Sequence, residues 1–240
     1  MRDNNKKIDF YGVGIGPGDP GLVTIKAKNI LDKIDTVFVP SADGEKSFAF
    51  SIISSLNLKN KKFVILTFPM TKDKKILRNY WVRAAKKIRV EIQKNKTTAF
   101  VTIGDPFIYS TYIYVLKELK NRYPDIKVET IPGITSFNAA SCACGLPLLE
   151  SGEKMAVLPV SRNFEGLEKI LKEFDTVVLM KVGPKIEKIT CLLKRMNLIK
   201  NAVLISHVGH KNEKIIRDFD NLNKKEGYLS VVIVKKEKKK

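Results

Sequence analysis

Thr102-Ile103-Gly104-Asp105-Pro106-Phe107-Ile108-Tyr109-Ser110-Thr111 is the stretch whose reading decides the fold. Ahead of it, Thr98-Ala99-Phe100-Val101 is an apolar run of the kind a strand buried on both faces needs, and it predicts a strand over Thr98 to Ile103. Behind it, Tyr112, Val115, Leu116 and Leu119 recur at helical spacing, which predicts a helix from Tyr109 to Lys120. Gly104 permits a sharp turn and Pro106 bars the strand from continuing. An acidic residue and a run of backbone amides are thereby placed at the carboxyl end of a central parallel strand. Open α/β sheets bind small molecules at that edge. Taken alone, Gly-Asp-Pro is equally an ordinary strand-turn-helix connection, so the neighbouring stretches carry the decision.

Ile8 to Ile15 predicts a strand that runs into Gly16-Pro17-Gly18-Asp19-Pro20-Gly21, followed by a helix from about Leu22 to Lys33. The glycines do not make a dinucleotide fingerprint. Gly12-x-Gly14-x-x meets Pro17 where Gly or Ala is required, and Gly14-x-Gly16-x-x meets Asp19. The acidic ribose ligand at the end of the second strand is missing as well, because Thr36-Val37-Phe38-Val39 ends in Pro40. No Gly-Lys-Ser/Thr follows, so the turn is not a P-loop.

The alternation then repeats: helix Ser47 to Leu56, strand Lys62 to Leu66, helix Ile76 to Lys94, the central strand with its helix, and strand Lys127 to Ile131. Strands alternating with helices predict a parallel, doubly wound sheet. Two long connections, Pro40 to Lys46 and Thr67 to Asp73, fall on its ligand edge, where such segments carry function or move. Pro132-Gly133 marks a change of domain, which sets the expected division at 1–131 and 132–240. A helix from Ile134 to Cys144, with Thr135 or Ser136 as cap, ends at Gly145-Leu146-Pro147. Strand Met155 to Leu158, helix Phe164 to Phe174, strand Thr176 to Val182, a helix from Gly183-Pro184 to Met196, strand Ala202 to Ser206, Glu213 to Arg217 and Tyr228 to Lys235 follow. Short connections there suggest antiparallel pairing and a mixed sheet.

With 240 residues the chain can bury one or two proper cores. No apolar run reaches the about 18 residues that a membrane span needs. The polar start, Met1 to Lys7, lacks a signal-peptide apolar region, so a cytoplasmic protein without a membrane partner is expected. Cys142 and Cys144 read as core packing in a reduced protein, and Cys191 completes no metal spacing. No carboxylate or cysteine sits near His207 and His210 to complete a zinc site, so no metal is expected. The net charge of +19 attracts anionic partners, whether nucleic acid, acidic lipid or a polycarboxylate. Lysines are spread along the whole chain, however, and no basic stretch is interleaved with aromatics, so a solvated surface fits equally well and no nucleic-acid partner is expected.

Gly12-x-Gly14-x-Gly16-Pro17-Gly18-Asp19-Pro20, Gly104-Asp105-Pro106 and Ile131-Pro132-Gly133-Ile134-Thr135-Ser136 stand in one order and spacing over almost the whole chain. In this the chain resembles the tetrapyrrole methylases, the class III S-adenosylmethionine-dependent methyltransferases. Phe68-Pro69-Met70-Thr71, Gly104 to Tyr112, Leu146-Pro147-Leu148 and Ala156-Val157-Leu158-Pro159 are similar to the branch that methylates C20 of precorrin-2, or of its cobalt-bearing counterpart, on the route to vitamin B12. The resemblance implies two α/β domains with S-adenosylmethionine in the cleft between them, S-adenosylhomocysteine as product, a tetrapyrrole substrate and a homodimer. By position it places cofactor contacts on Pro17, Ile103, Gly104, Asp105 and Ile108, and on Thr135, Ser136, Met180 and Gly209. The motif departs from the family at His207, where many members carry an acidic residue, and this loosens the assignment of Gly209. Precorrin-2 carries eight carboxylates, which gives the basic balance a meaning. Lys46 and Lys72, on the two long loops, are candidate substrate partners, and solvated loop lysines are the alternative. No residue is assigned as the base that takes the C20 proton. Another corrin position, a non-tetrapyrrole substrate, or a basic nucleic-acid-binding protein with a vestigial cofactor cleft are the alternatives on function.

Overall fold

In a computed structural model, which describes residues 7–42, 44, 47–160, 166–220, 222 and 229–236, the central strand lies where the sequence puts it. The strands β1 (Phe10–Gly14), β2 (Thr36–Ser41), β3 (Lys62–Thr67), β4 (Thr98–Thr102) and β5 (Val128–Ile131) form one parallel sheet in the order β3-β2-β4-β1-β5. Helices α1 (Ile25–Leu31), α2 (Phe48–Ser54), α3 (Lys74–Gln93) and α4 (Tyr112–Arg122) connect them. The chain divides into two compact units, Met1–Thr135 and Ser136–Lys240, and this sheet belongs to the first.

The pleat sorts the strand residues onto two faces. Phe10, Phe38 and Phe100 point to one face and pack with Ala84, Ala85 and Ile88 of α3 and Val115 and Leu119 of α4. Val13, Val37, Val39, Ala99 and Val101 point to the other, against Ala27 and Leu31 of α1 and Ala49, Ile52 and Ile53 of α2. Both faces are therefore covered, as a parallel sheet requires, and each fully buried side chain of this size contributes roughly 1.5–3 kcal/mol.

Local side-chain bonds shift several boundaries from those expected. Asp19 Oδ1 accepts from the Gly21 N–H at 2.7 Å and holds Pro20–Leu22 in a 3-10 turn. Thr24 then caps α1, its Oγ1 accepting from the Ala27 N–H at 3.2 Å, so the helix starts at Ile25 rather than Leu22. Helix α4 starts at Tyr112 rather than Tyr109, because Tyr109 has φ +49° and Ser110 Oγ accepts from the Tyr112 N–H at 3.0 Å. Strand β2 does not stop before Pro40 but runs to Ser41. Its pairing with β4 covers only Thr36 to Phe38, so at Pro40 one side of the ladder has already ended and the missing donor is tolerated.

In the second unit, α5 (Ser136–Cys144), β6 (Met155–Pro159), α6 (Leu167–Glu173), β7 (Thr176–Met180), α7 (Ile186–Arg195), β8 (Ala202–Ser206), β9 (Lys214–Ile216) and β10 (Ser230–Lys235) build a mixed sheet in the order β6-β7-β10-β8-β9. Only β6 and β7 pair in parallel. β10 lies antiparallel between β7 and β8, and β9 closes the edge antiparallel to β8. The expected helix start at Phe164 and strand start at Tyr228 lie outside the described residues. The cysteine reading needs correction: Cys142 and Cys191 are exposed, and only Cys144 packs partly against the core. Two residues apart on a helix point to opposite sides, so Cys142 and Cys144 cannot share one buried face. Among the described residues no helix is long and apolar enough to cross a membrane.

Gly12 sits in the middle of β1, where glycine weakens a strand unless something needs the space. The Tyr112 ring fills that space, and a Cβ on Gly12 would lie 2.1 Å from its Cζ. Gly12→Ala should therefore cost about 1–3 kcal/mol in urea denaturation, as overpacking does. In a Tyr112→Ala background the same change should cost much less, since the pair is in contact. Equal costs in both backgrounds would show that the ring is not what excludes a side chain.

Candidate cofactor site

Three strand ends of the first unit, those of β1, β4 and β5, converge on Gly14, Gly104 and Gly133. A Cβ on Gly133 would lie 2.2 Å from the Gly104 carbonyl oxygen and 2.8 Å from Gly14 Cα. One on Gly14 would lie 2.6 Å from the Gly133 nitrogen and 2.7 Å from the Gly104 oxygen. Backbone packs on backbone here, and no side chain fits between. Gly16 and Gly104 also form an isolated bridge, the Gly104 N–H donating to the Gly16 carbonyl at 2.8 Å.

Asp105 fastens this junction. Its Oδ2 accepts from the Gly133 N–H at 3.1 Å, and its Oδ1 accepts from the Phe107 N–H at 2.9 Å. One carboxylate thus ties the turn after β4 to the end of β5 and also folds its own turn. A second clamp lies beneath: the buried Thr102 and Ser110 hydroxyls are 3.0 Å apart, which closes the loop from Ile103 to Tyr109 at its base. The Tyr112 phenol is not a candidate base. Burial pushes it up to about 12, only partly offset by its 2.7 Å bond to Thr130 Oγ1, so it stays neutral and structural.

Gly104 is buried, but on its outer side it leaves room for an added carbon. Gly104 has φ +70°, and a Cβ there would find only the Ile134 carbonyl oxygen, at 3.9 Å. Pro17 is buried, Ile103 is half-buried against the α1 and α2 side of the core, and Ile108 is exposed. Phe107 and Tyr109 on the same loop, and Met70 at 81% on the loop after β3, are exposed too. Pro17, Ile103, Gly104, Asp105, Ile108 and Thr135 therefore belong to one edge of one sheet. That edge offers backbone and apolar surface, and the carboxylate of Asp105 is occupied by backbone amides.

Ser136, Met180 and Gly209 belong to the second unit. Met180 ends β7 and Gly209 lies in the turn after β8, both on the edge where β10 begins. Gly209 has φ +76° and its N–H donates to Glu213 Oε2 at 2.8 Å. A carboxylate does reach this turn, from Glu213 rather than from position 207, which corrects the expectation that none lies near His207 and His210; among the described residues no three groups are placed to hold a metal ion. His207 instead has Nδ1 2.7 Å from Ser206 Oγ. Of the two candidate substrate lysines, Lys72 is exposed on the loop before α3, and Lys46 lies outside the described residues. The sequence reading missed the Asp105 clamp to Gly133 and the Thr102–Ser110 latch. Their signal was the pairing of Gly-Asp-Pro with Pro-Gly, which spacing alone cannot turn into a contact.

With this geometry in view, likeness to known proteins acquires a physical meaning. The family model of the Tetrapyrrole (Corrin/Porphyrin) Methylases matches residues 9–219. The chain is 39% identical over 238 residues, 98% of each chain, to a Methanocaldococcus jannaschii protein described as a probable cobalt-precorrin-2 C(20)-methyltransferase. It is 28% identical over 233 residues, 94% of each chain, to the precorrin-2 C(20)-methyltransferase of a Sinorhizobium species. Among solved structures, the uroporphyrin-III C-methyl transferase of Thermus thermophilus, complexed with S-adenyl homocysteine, superposes with a TM-score of 0.64 at 18% identity, over 94% of this chain and 96% of that one. A family model that matches residues 9–219, together with 39% identity over 98% of the chain to one of its relatives, places this chain among the tetrapyrrole methylases.

Proposed function

We infer that this chain is an S-adenosylmethionine-dependent C-methyltransferase acting at C20 of precorrin-2, or of its cobalt-bearing counterpart, in cobalamin biosynthesis. The observation that carries the reading is 39% identity over 98% of both chains to a relative named for that reaction. The second relative is named for the same carbon without cobalt, so both substrates stay in view. The alternative of another corrin position is less favoured, since a relative named for C(11) of cobalt-precorrin-4 is 26% identical, against 39% for the one named for C(20).

The residues at the carboxyl edge of the first sheet fit this cofactor. Adenosine and a methionine tail need hydrogen-bonding backbone and apolar walls rather than a phosphate cradle, and the outer side of Gly104 beside exposed Ile108 supplies both kinds of surface. We assign Pro17, Ile103, Gly104, Asp105, Ile108 and Thr135 of the first unit to it. Ser136, Met180 and Gly209 of the second are assigned on the family motif. When bound, S-adenosylmethionine supplies a methyl group whose bonding electrons stay with sulfur as it moves to carbon, and C20 then loses a proton. The displacement spreads charge, so the chain's task is to align the reactants and exclude water. Lys72, and Lys46 with it, are proposed to meet the substrate's carboxylates, and a homodimer is proposed from the family resemblance.

Incubating the protein with S-adenosylmethionine labelled in the methyl group, with precorrin-2 and with its cobalt complex, tests the reading directly. NMR should find one new methyl, at C20, in at least one of the two products. A methyl at another carbon, or no transfer by protein that binds S-adenosylhomocysteine, would refute it.

Gly104 gives a second test. The protein itself leaves room for a methyl at this position, and the φ of +70° costs an alanine about 1–2 kcal/mol. Gly104→Ala should therefore fold, with a modestly lowered melting temperature, yet bind S-adenosylhomocysteine at least about tenfold more weakly by calorimetry. Unchanged affinity would place the cofactor elsewhere.

A further inference from the structure

The non-glycine residues with a positive φ among the described residues fall into two groups. Asn57, Asn60, Asn95 and Asn197 lie in connections from a helix to the next strand, and asparagine takes this conformation readily. Tyr109, Lys181, His207 and Leu229 form the second group, and all four lie on the strand edges to which cofactor residues are assigned. Tyr109 follows Ile108 on the loop after β4. In the other unit Lys181 follows β7, His207 follows β8 and Leu229 precedes β10, on the edge of Met180 and Gly209. A bulky residue held left-handed stores backbone strain, and such strain gathers where a side chain has a task.

At Tyr109 the surrounding bonds show what imposes the strain. Its φ of +49° lies between two fixed points. Before it, Asp105 Oδ1 accepts from the Phe107 N–H at 2.9 Å, and the Ile108 N–H donates to the Asp105 carbonyl at 3.3 Å. After it, the buried Ser110 Oγ lies 3.0 Å from Thr102 Oγ1 and accepts from the Tyr112 N–H at 3.0 Å. The chain has to step through the left-handed region to join the two. Glycine would make that step without a steric cost. Away from the two edges, the described left-handed positions are indeed held by glycine or asparagine. The backbone alone does not ask for tyrosine here, so the ring is what the position keeps. Phe107, Ile108 and Tyr109 are moreover three consecutive large apolar residues, 55%, 39% and 42% exposed. A run of that kind on a loop tied down at both ends is surface shaped for a ligand.

Ile108 is assigned to the cofactor, and Tyr109 is the next group that this edge presents. A phenol ring is flat and apolar on its faces and polar at its tip. That combination matches a macrocycle with a broad ring face and carboxylates around its rim. We propose that Tyr109 is a substrate-contacting residue of the methyl-transfer site, its ring packed on the face of the tetrapyrrole and fixing where that face rests. The proposal rests on the methyl-transfer reading and adds to it the residue that orients the acceptor. Because the latches set the ring's backbone before the substrate arrives, less freedom is lost on binding, and the acceptor carbon is held in line for attack.

Tyr109→Phe, Tyr109→Ala and Tyr109→Gly, made in the full chain, test this through three readouts. In steady-state methyl transfer to precorrin-2 or its cobalt complex, the Ala and Gly variants should lower kcat/KM for the tetrapyrrole by about tenfold or more. Tyr109→Phe keeps the ring face and should stay within about threefold of the parent. Calorimetry should find S-adenosylhomocysteine affinity within about twofold of the parent in all three. In thermal melting, Tyr109→Gly should lie about 2–4 °C above Tyr109→Ala, because both lose the ring and only glycine releases the strain. The Gly variant therefore carries the kinetic test if the Ala variant misfolds. Parent-like kcat/KM in Ala and Gly would overturn the proposal. Equal losses in Phe and Ala would overturn it too, by assigning the contact to the hydroxyl, and a matching fall in S-adenosylhomocysteine affinity would assign the ring to the cofactor. A Gly variant melting no higher than Ala would remove the strain from which the inference starts. A parent that binds S-adenosylhomocysteine but methylates neither tetrapyrrole would refute the methyl-transfer reading itself, and this proposal with it.

Discussion

Gly14, Gly104 and Gly133 meet so closely that a single added carbon on Gly14 or Gly133 would collide with backbone atoms of the others. The rest of the first unit depends on that approach. It brings the ends of β1, β4 and β5 to one place, and Asp105 then bonds across it to the Gly133 N–H. The turn after β4 is held from inside by Asp105 and Phe107, and from below by Thr102 and Ser110. A rigid edge lined by backbone results, with its apolar residues turned outward. An edge built this way can receive a ligand that is recognised by shape and backbone bonds, and methyl transfer from a sulfonium asks for little more.

The parallel sheet was legible because its strands are buried on both faces and its helices keep a 3.6-residue period, two signals that survive without any contact map. The glycine pattern could be excluded as a dinucleotide fingerprint by position alone, at Pro17 and Asp19. What each glycine is for was not legible. Gly12 serves the Tyr112 ring, exactly a hundred residues away in the chain, and Gly14 serves Gly133. Such long-range packing leaves no local trace beyond a glycine where a strand should have a side chain. The helix starts were misread for a related reason. Asp19, Thr24 and Ser110 make side-chain bonds to backbone two or three residues on, which override hydrophobic periodicity within a turn. The apolar stretch around the cysteines carries no sign of which side faces solvent, and α5 turns Cys142 outward.

Charge was the least legible property of all. A net +19 spread over the chain states that anions will be attracted but not where. The structure separates lysines tied to carboxylates, such as Lys62 and Lys94 on Glu91, from those without such a partner. Glu91 shows the first kind clearly: its bonds to Lys62 and Lys94 hold its carboxyl down at about 2, so the group stays charged through the physiological range. Arg217 and Lys236 show the second kind, bonded to the Cys144 and Lys172 carbonyls rather than to a carboxylate among the described residues. Position in the fold, not count, decides what a basic residue can do.

The central claim is that the backbone around the glycine junction seats S-adenosylmethionine, and amide hydrogen exchange with and without S-adenosylhomocysteine examines it most directly. Ligand binding should slow exchange in the segments 103–108 and 131–136, where the junction and its flanking turns lie, and leave α3 and α7 unchanged. Saturating ligand that protects other segments and leaves these two as they were would contradict it.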